Sequence, residues 1–123
     1  MKIVKVKNRL MYHGNDPYGT HYYAFFWNKK YKKYNAIQLT HIAKIDETRY
    51  EQANNNIIKP IRLKKLDKYS DSGITRNKYI SDINGKALNP NMGKIVINNV
   101  SGSSSKKISK FANKIYFKGK KTN

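Results

Sequence analysis

His21-Tyr22-Tyr23-Ala24-Phe25-Phe26-Trp27-Asn28 is a run of strand-forming aromatics, Lys29-Lys30-Tyr31-Lys32-Lys33 is a polar connection, and Tyr34 to Ile42 returns to strand composition. Aromatic and β-branched side chains fit a pleated, half-buried surface, whereas consecutive lysines hold a turn in water. The three pieces therefore predict a β-hairpin with a lysine-rich tip. Phe25, Phe26 and Trp27 are expected in the core, since burying them stabilises a small domain.

Outward from the hairpin, Lys2-Ile3-Val4-Lys5-Val6-Lys7 alternates as a first strand, and Asn15-Asp16-Pro17-Tyr18-Gly19 has loop composition. Asp46 is a candidate cap for a short helix to Asn54, which Asn54-Asn55-Asn56 ends. Ile57-Ile58-Lys59-Pro60-Ile61-Arg62-Leu63 reads as a strand that its proline confines to an edge or bulge. A further strand is predicted from Gly73 to Ile80, and Ile83-Asn84-Gly85-Lys86 reads as a turn. From Ala87 to Asn123 there are eight lysines and no acid. Within that third, Ile108, Phe111, Ala112 and Ile115 recur at helical spacing, which predicts a basic helix over Ser105 to Tyr116 docked by its apolar face. Five or six short strands with one or two short helices make the expected fold mainly β, a small barrel. No repeat or linker divides the chain, so residues 1–123 are read as one domain with a frayed basic terminus at 117–123.

The chain has 123 residues, with 26 Lys and Arg against 7 Asp and Glu, a formal charge of +19 and no cysteine. That surplus favours a polyanion over a small acidic substrate, and nucleic acid is the leading partner. The lack of cysteine excludes disulfides, thiolate nucleophiles and cysteine zinc sites, and the three histidines set no metal-ligand pattern. Neither a metal nor a cofactor is expected. No apolar segment approaches the roughly 20 residues that span a bilayer, and the N-terminus lacks a signal-peptide core, so the expected location is the cytoplasm. Charge alone also suits an anionic membrane surface, but no strongly apolar helix face accompanies the basic residues, and no membrane partner is expected.

Metal-free RNA cleavage requires activation of a 2'-hydroxyl, a donor to the phosphoryl oxygens and an acid for the leaving oxygen. His21 opens the first hairpin strand and Thr40-His41 closes the second, so pairing brings His21 near Thr40. Histidine titrates near neutrality and suits proton transfer. Thr40 can donate to phosphate, and is equally an ordinary β former. His41 follows Thr40 on a strand, where neighbours face opposite ways, so it contacts substrate only if it shares the groove. His13 is a candidate in the preceding loop. Arg62 and Arg76 are two of only four arginines and can fork onto phosphate, or simply be solvated or paired with an acid. Lys29, Lys30, Lys32 and Lys33 attract a nucleic-acid backbone, with Tyr31 and Tyr34 available to stack on bases.

The order of these segments resembles the PemK/MazF family of RNA-cleaving toxins of toxin–antitoxin systems. His21-Tyr22-Tyr23-Ala24-Phe25-Phe26-Trp27-Asn28 is similar to the family's basic residue and apolar strand, and Ala36-Ile37-Gln38-Leu39-Thr40 to the strand ending in its catalytic threonine. Ile58 to Leu63, Ser72-Gly73-Ile74-Thr75-Arg76-Asn77-Lys78-Tyr79-Ile80 and Gly85-Lys86-Ala87-Leu88 extend the resemblance over roughly residues 1 to 100. It implies an SH3-like barrel, a homodimer, an endoribonuclease acting on single-stranded RNA through a cyclic phosphate, and an antitoxin, whether an acidic protein or an RNA. Where the family usually carries arginine then proline, this chain has His21-Tyr22. Thr40-His41-Ile42-Ala43-Lys44 resembles the strand end and nearby lysine of ToxN/AbiQ-like endoribonucleases, which adds Lys44 to the RNA-binding candidates along with Lys78.

The expected mechanism has His21 accepting the 2'-hydroxyl proton, Thr40 stabilising phosphate, and Arg62 or Arg76 binding it electrostatically. The alternative is a noncatalytic nucleic-acid-binding accessory or regulatory protein, whose binding is salt-sensitive and survives loss of His21 or Thr40. A structural or ribosomal role leaves the His21/Thr40 pairing without a use.

Overall fold

In the computed structural model the described residues are 1–11, 18–41, 57–63, 71–100 and 102–116. The expected hairpin is its centre. Strand β2 (Thr20–Asn28) pairs with β3 (Lys33–His41) in a register running from Asn28 opposite Lys33 to Tyr22 opposite Leu39. Strand β1 (Lys2–Lys7) lies along the other side of β2 and runs into a single helical turn, α1 (Asn8–Met11). Strand β5 (Asp71–Tyr79) pairs with β3, and β4 (Ile57–Arg62) pairs with β5. A 3-10 turn at Pro90–Met92 leads into β6 (Lys94–Ile97) beside β1, and the basic helix α2 (Gly102–Tyr116) follows.

The six strands form one antiparallel sheet in the order β4-β5-β3-β2-β1-β6. This corrects the expected mainly β, SH3-like barrel: the fold is mixed α/β, with an open sheet and, among the described residues, two helices. β4 and β6 stand at opposite edges rather than closing on each other. The physical reason is that the sheet covers its apolar faces with layers instead of by closure. On one face Ile3, Ala24, Ile37, Leu39, Ile74 and Ile97 join Ile108, Phe111 and Ala112 of α2 in one buried cluster. On the other, Val4, Val6, Tyr23, Phe25 and Ala36 pack with Met11 of α1 and with Leu88. A strand buried on both faces loses its alternation, which is why Tyr23-Ala24-Phe25 is apolar without a break. Each fully buried Ile or Leu contributes about 1.5–3 kcal/mol relative to exposure.

Pro60 sits in β4, the edge the sequence predicts for it. Across β3 and β5, Thr75 Oγ1 donates to the Gln38 carbonyl at 2.9 Å and Tyr79 Oη donates to Gln38 Oε1 at 3.3 Å, holding the register across an irregularity between Ile37 and Leu39. Gly93 enters β6 against β1: a Cβ there would collide with the Lys5 carbonyl oxygen and lie 2.9 Å from Val6 Cγ2. The expected helix over Asp46 to Asn54 and the basic terminus 117–123 lie outside the described residues.

Candidate nucleic-acid interface

The tip of the β2–β3 hairpin is built by one side chain. Asn28 ends β2 with only 6 % of its surface exposed, and its Oδ1 accepts from the backbone N–H of Lys30 at 3.0 Å and of Tyr31 at 3.2 Å. Asparagine favours this position because its carboxamide replaces backbone partners two and three residues on. Lys32 completes the turn at φ 52°, the one positive φ outside glycine among the described residues. A left-handed backbone suits Gly or Asn better than lysine.

The turn holds Tyr31 46 % exposed, with Lys30 Nζ 5.5 Å and Lys33 Nζ 5.9 Å from its ring centroid. Ammonium groups at that range are attracted to the ring's π face. Lys29 and Lys32 are exposed beside it. The result is an aromatic surface framed by cations, the combination that receives an unpaired base and its phosphate.

Trp27 adds a second surface. The sequence places it in the core, but it is 52 % exposed, with its ring edge-on to Tyr34 at 5.1 Å. Phe25 is fully buried and Phe26 is partly buried against the core. The apolar cover of this sheet face reaches Phe25 and thins before Trp27, one alternation nearer the tip.

Between the turn and α2 runs an open groove of about 330 Å³. Phe26, Trp27, Asn28, Lys29 and Lys30 form its strand side. Ser109, Ala112 and Asn113 form its helix side. Ile108, Phe111 and Ala112 seat the helix on the sheet, and that rotation presents Ser109 and Asn113, four residues apart, to the groove. Lys106, Lys107 and Lys110 are exposed on the same helix.

At the far end of the hairpin, His21 Nδ1 lies 2.6 Å from Oδ1 of the buried Asn8. The amide oxygen only accepts, so Nδ1 carries the hydrogen and the neutral ring's basic nitrogen is Nε2. His21 pairs with Val6 on β1. One further step of the β2–β3 register sets it across from Thr40, which pairs with Gly73 on β5. By alternation His21 and Thr40 share the sheet face opposite α2. His41 is paired with Ser72, one residue beyond Thr40. Arg62 lies opposite Asp71 in the β4–β5 backbone register at this same end of the sheet, two strands from β3, and Arg76 falls within the β3–β5 irregularity. Lys78 is exposed on β5. His13 and Lys44 lie outside the described residues.

The expected residues thus divide into two groups. His21 and Asn28 are seven residue steps apart on β2, about 23 Å at strand rise, so the lysine turn and the His21/Thr40 pair occupy opposite ends of the hairpin. Asn8, Asn28, Ser109 and Asn113 were not singled out from the sequence, and Trp27 was assigned to the core rather than to a stacking surface. Asn28 carried a usable signal, an Asn immediately before a polar turn. The contact of Asn8 with His21 carried none, since it forms only when β1 and β2 pair.

No protein-family model, curated protein or solved structure matches this chain. None of these comparisons supports the resemblance to RNA-cleaving toxins, and the open sheet lacks the barrel that it implied. Among the described residues no three His, Asp or Glu side chains gather as metal ligands, and no helix is long and apolar enough to cross a membrane.

Proposed function

We propose that this protein binds single-stranded RNA over the β2–β3 turn and the adjoining face of α2. The observation that carries the reading is Tyr31, held half-exposed by a turn that Asn28 braces and flanked by two lysine ammonium groups. Exposed aromatic faces favour unpaired over paired bases, because a duplex has already stacked its own. The net charge of +19 supplies the long-range attraction. The test is fluorescence anisotropy of a labelled single-stranded RNA across a salt series, with single-stranded DNA and duplex RNA as competitors. Tyr31→Ala and the pair Lys30→Ser, Lys33→Ser should each weaken binding, and the lysine pair should also flatten the salt dependence. Affinity unchanged in all of these variants would overturn the reading.

A second reading, metal-independent RNA cleavage, is favoured by the register that sets His21 across from Thr40, with Asn8 orienting the imidazole. Nε2 would accept the 2'-hydroxyl proton while the Thr40 hydroxyl donates to a phosphoryl oxygen. RNA incubated in chelator should yield 2',3'-cyclic phosphate ends, lost in His21→Ala and Thr40→Val. RNA that remains intact while bound rejects cleavage and leaves binding standing. The antitoxin and the homodimer rest on the resemblance and enter neither reading.

A further inference from the structure

We infer that the groove between the β2–β3 turn and α2 receives one unstacked guanine base of the bound RNA and rejects adenine. The inference rests on the RNA-binding reading above and specifies which base that surface selects. The orientation of the Asn28 carboxamide sets the chemistry of the groove. A carboxamide has one accepting oxygen and one donating nitrogen. Both turn N–H groups require the oxygen, so Oδ1 is fixed toward the backbone and Nδ2 is the group that Asn28 offers to the groove it lines. Asn28 is only 6 % exposed, and with Oδ1 taken up by the turn Nδ2 is its one remaining hydrogen-bonding group. A donor in such a place favours an accepting atom over another donor.

Lys29, the next residue on the same wall, can only donate as well. A wall of adjacent donors matches a base edge with adjacent acceptors. Guanine presents two, O6 and N7, on one edge. Adenine has the same shape and stacking surface but carries an amino group where guanine has O6, which would set a donor against a donor. The usual bidentate pairing of an asparagine with adenine needs its carboxamide oxygen, and here that oxygen is occupied by the turn.

The remaining walls suit a base of this size. Phe26 supplies an apolar surface, and Ser109 and Asn113 each both donate and accept, so they bind either purine. A volume of about 330 Å³ is near the lower end of the ~300–1,000 Å³ typical of small-ligand sites, the scale of one nucleotide. Exposed Lys110, beside Ser109 on α2, adds positive charge near the helix wall for the attached phosphate.

The experiment compares binding of two short uridine oligomers, one with a central guanosine and one with a central adenosine, to the full-length protein. The guanosine oligomer should bind about tenfold more tightly. Asn28→Asp keeps one oxygen for the turn and presents the other to the groove, so the preference should vanish or invert. Its added negative charge weakens both oligomers alike and is removed by taking their ratio. Ser109→Trp, at an exposed helix position, should fill the groove and bring the ratio of the two affinities to one, whatever its effect on overall binding. Equal affinity for both oligomers in the wild type, or a preference that survives either substitution, would overturn the inference and leave RNA binding intact. Failure of both oligomers to bind would overturn the RNA-binding reading together with it.

Discussion

The Nδ1 atom of His21 sits 2.6 Å from Oδ1 of Asn8, a contact between the second residue of β2 and the first residue of α1 that only the pairing of β1 with β2 creates. Asn8 is also tied through its backbone N–H to the Gly19 carbonyl at 2.9 Å, so both ends of the segment joining the two strands converge on it. The imidazole is thereby oriented by a buried carboxamide. Asn8→Ala should lower stability by about 1–3 kcal/mol, because it removes a buried partner. It should also release the His21 ring, seen as loss of a protected Nδ1–H signal in nitrogen-edited NMR.

Gly93 tests the closeness of β6 to β1. Gly93→Ala places a methyl group against the Lys5 carbonyl oxygen and the Val6 side chain, and backbone cannot move aside cheaply. An overpacked contact of this kind costs about 1–3 kcal/mol. The urea midpoint should fall with little change in slope.

Lys32 separates stability from binding. At φ 52° a lysine is less comfortable than asparagine, so Lys32→Asn should raise stability by about 0.5–1 kcal/mol. The same change removes a cation from the turn. If that lysine neutralises one phosphate, the slope of log affinity against log salt should shrink by about 0.7 for a single strand. A variant that is more stable yet binds RNA less well is the expected outcome.

Trp27 is the sole tryptophan, so its emission reports directly on the turn. Single-stranded RNA should quench it in a saturable titration, and duplex RNA at equal phosphate concentration should quench it less. Because the ring is half open to solvent, Trp27→Ala should cost little stability. It should weaken RNA binding by about 1–3 kcal/mol if a base stacks there.

Several features follow from local chemistry and were readable along the chain. The aromatic run from Tyr22 to Trp27 and the lysines after Asn28 specify a hairpin, because strand propensity and turn solvation act over a few residues. Pro60 lacks a backbone donor and reached an edge strand accordingly. Ile108, Phe111 and Ala112 recur at helical spacing and became the buried seam of α2. Of the candidate interface, the lysine turn was likewise legible, as was the hairpin register whose extension by one residue sets His21 across from Thr40.

Whether the sheet closed was not legible, because alternating strands bury the same residues in a barrel or beneath a helical layer. Only the seating of α2 on Ile3, Ile37, Leu39 and Ile74 settled that in favour of an open sheet. The exposure of Trp27 depended on where the opposite cover stopped, and the Asn28 groove on how α2 was rotated above it. Strand, turn and helix arise from interactions between near neighbours in sequence. Layering, edge exposure and the placing of Ser109 beside Asn28 arise from contacts between distant segments, and exist only once those segments have packed.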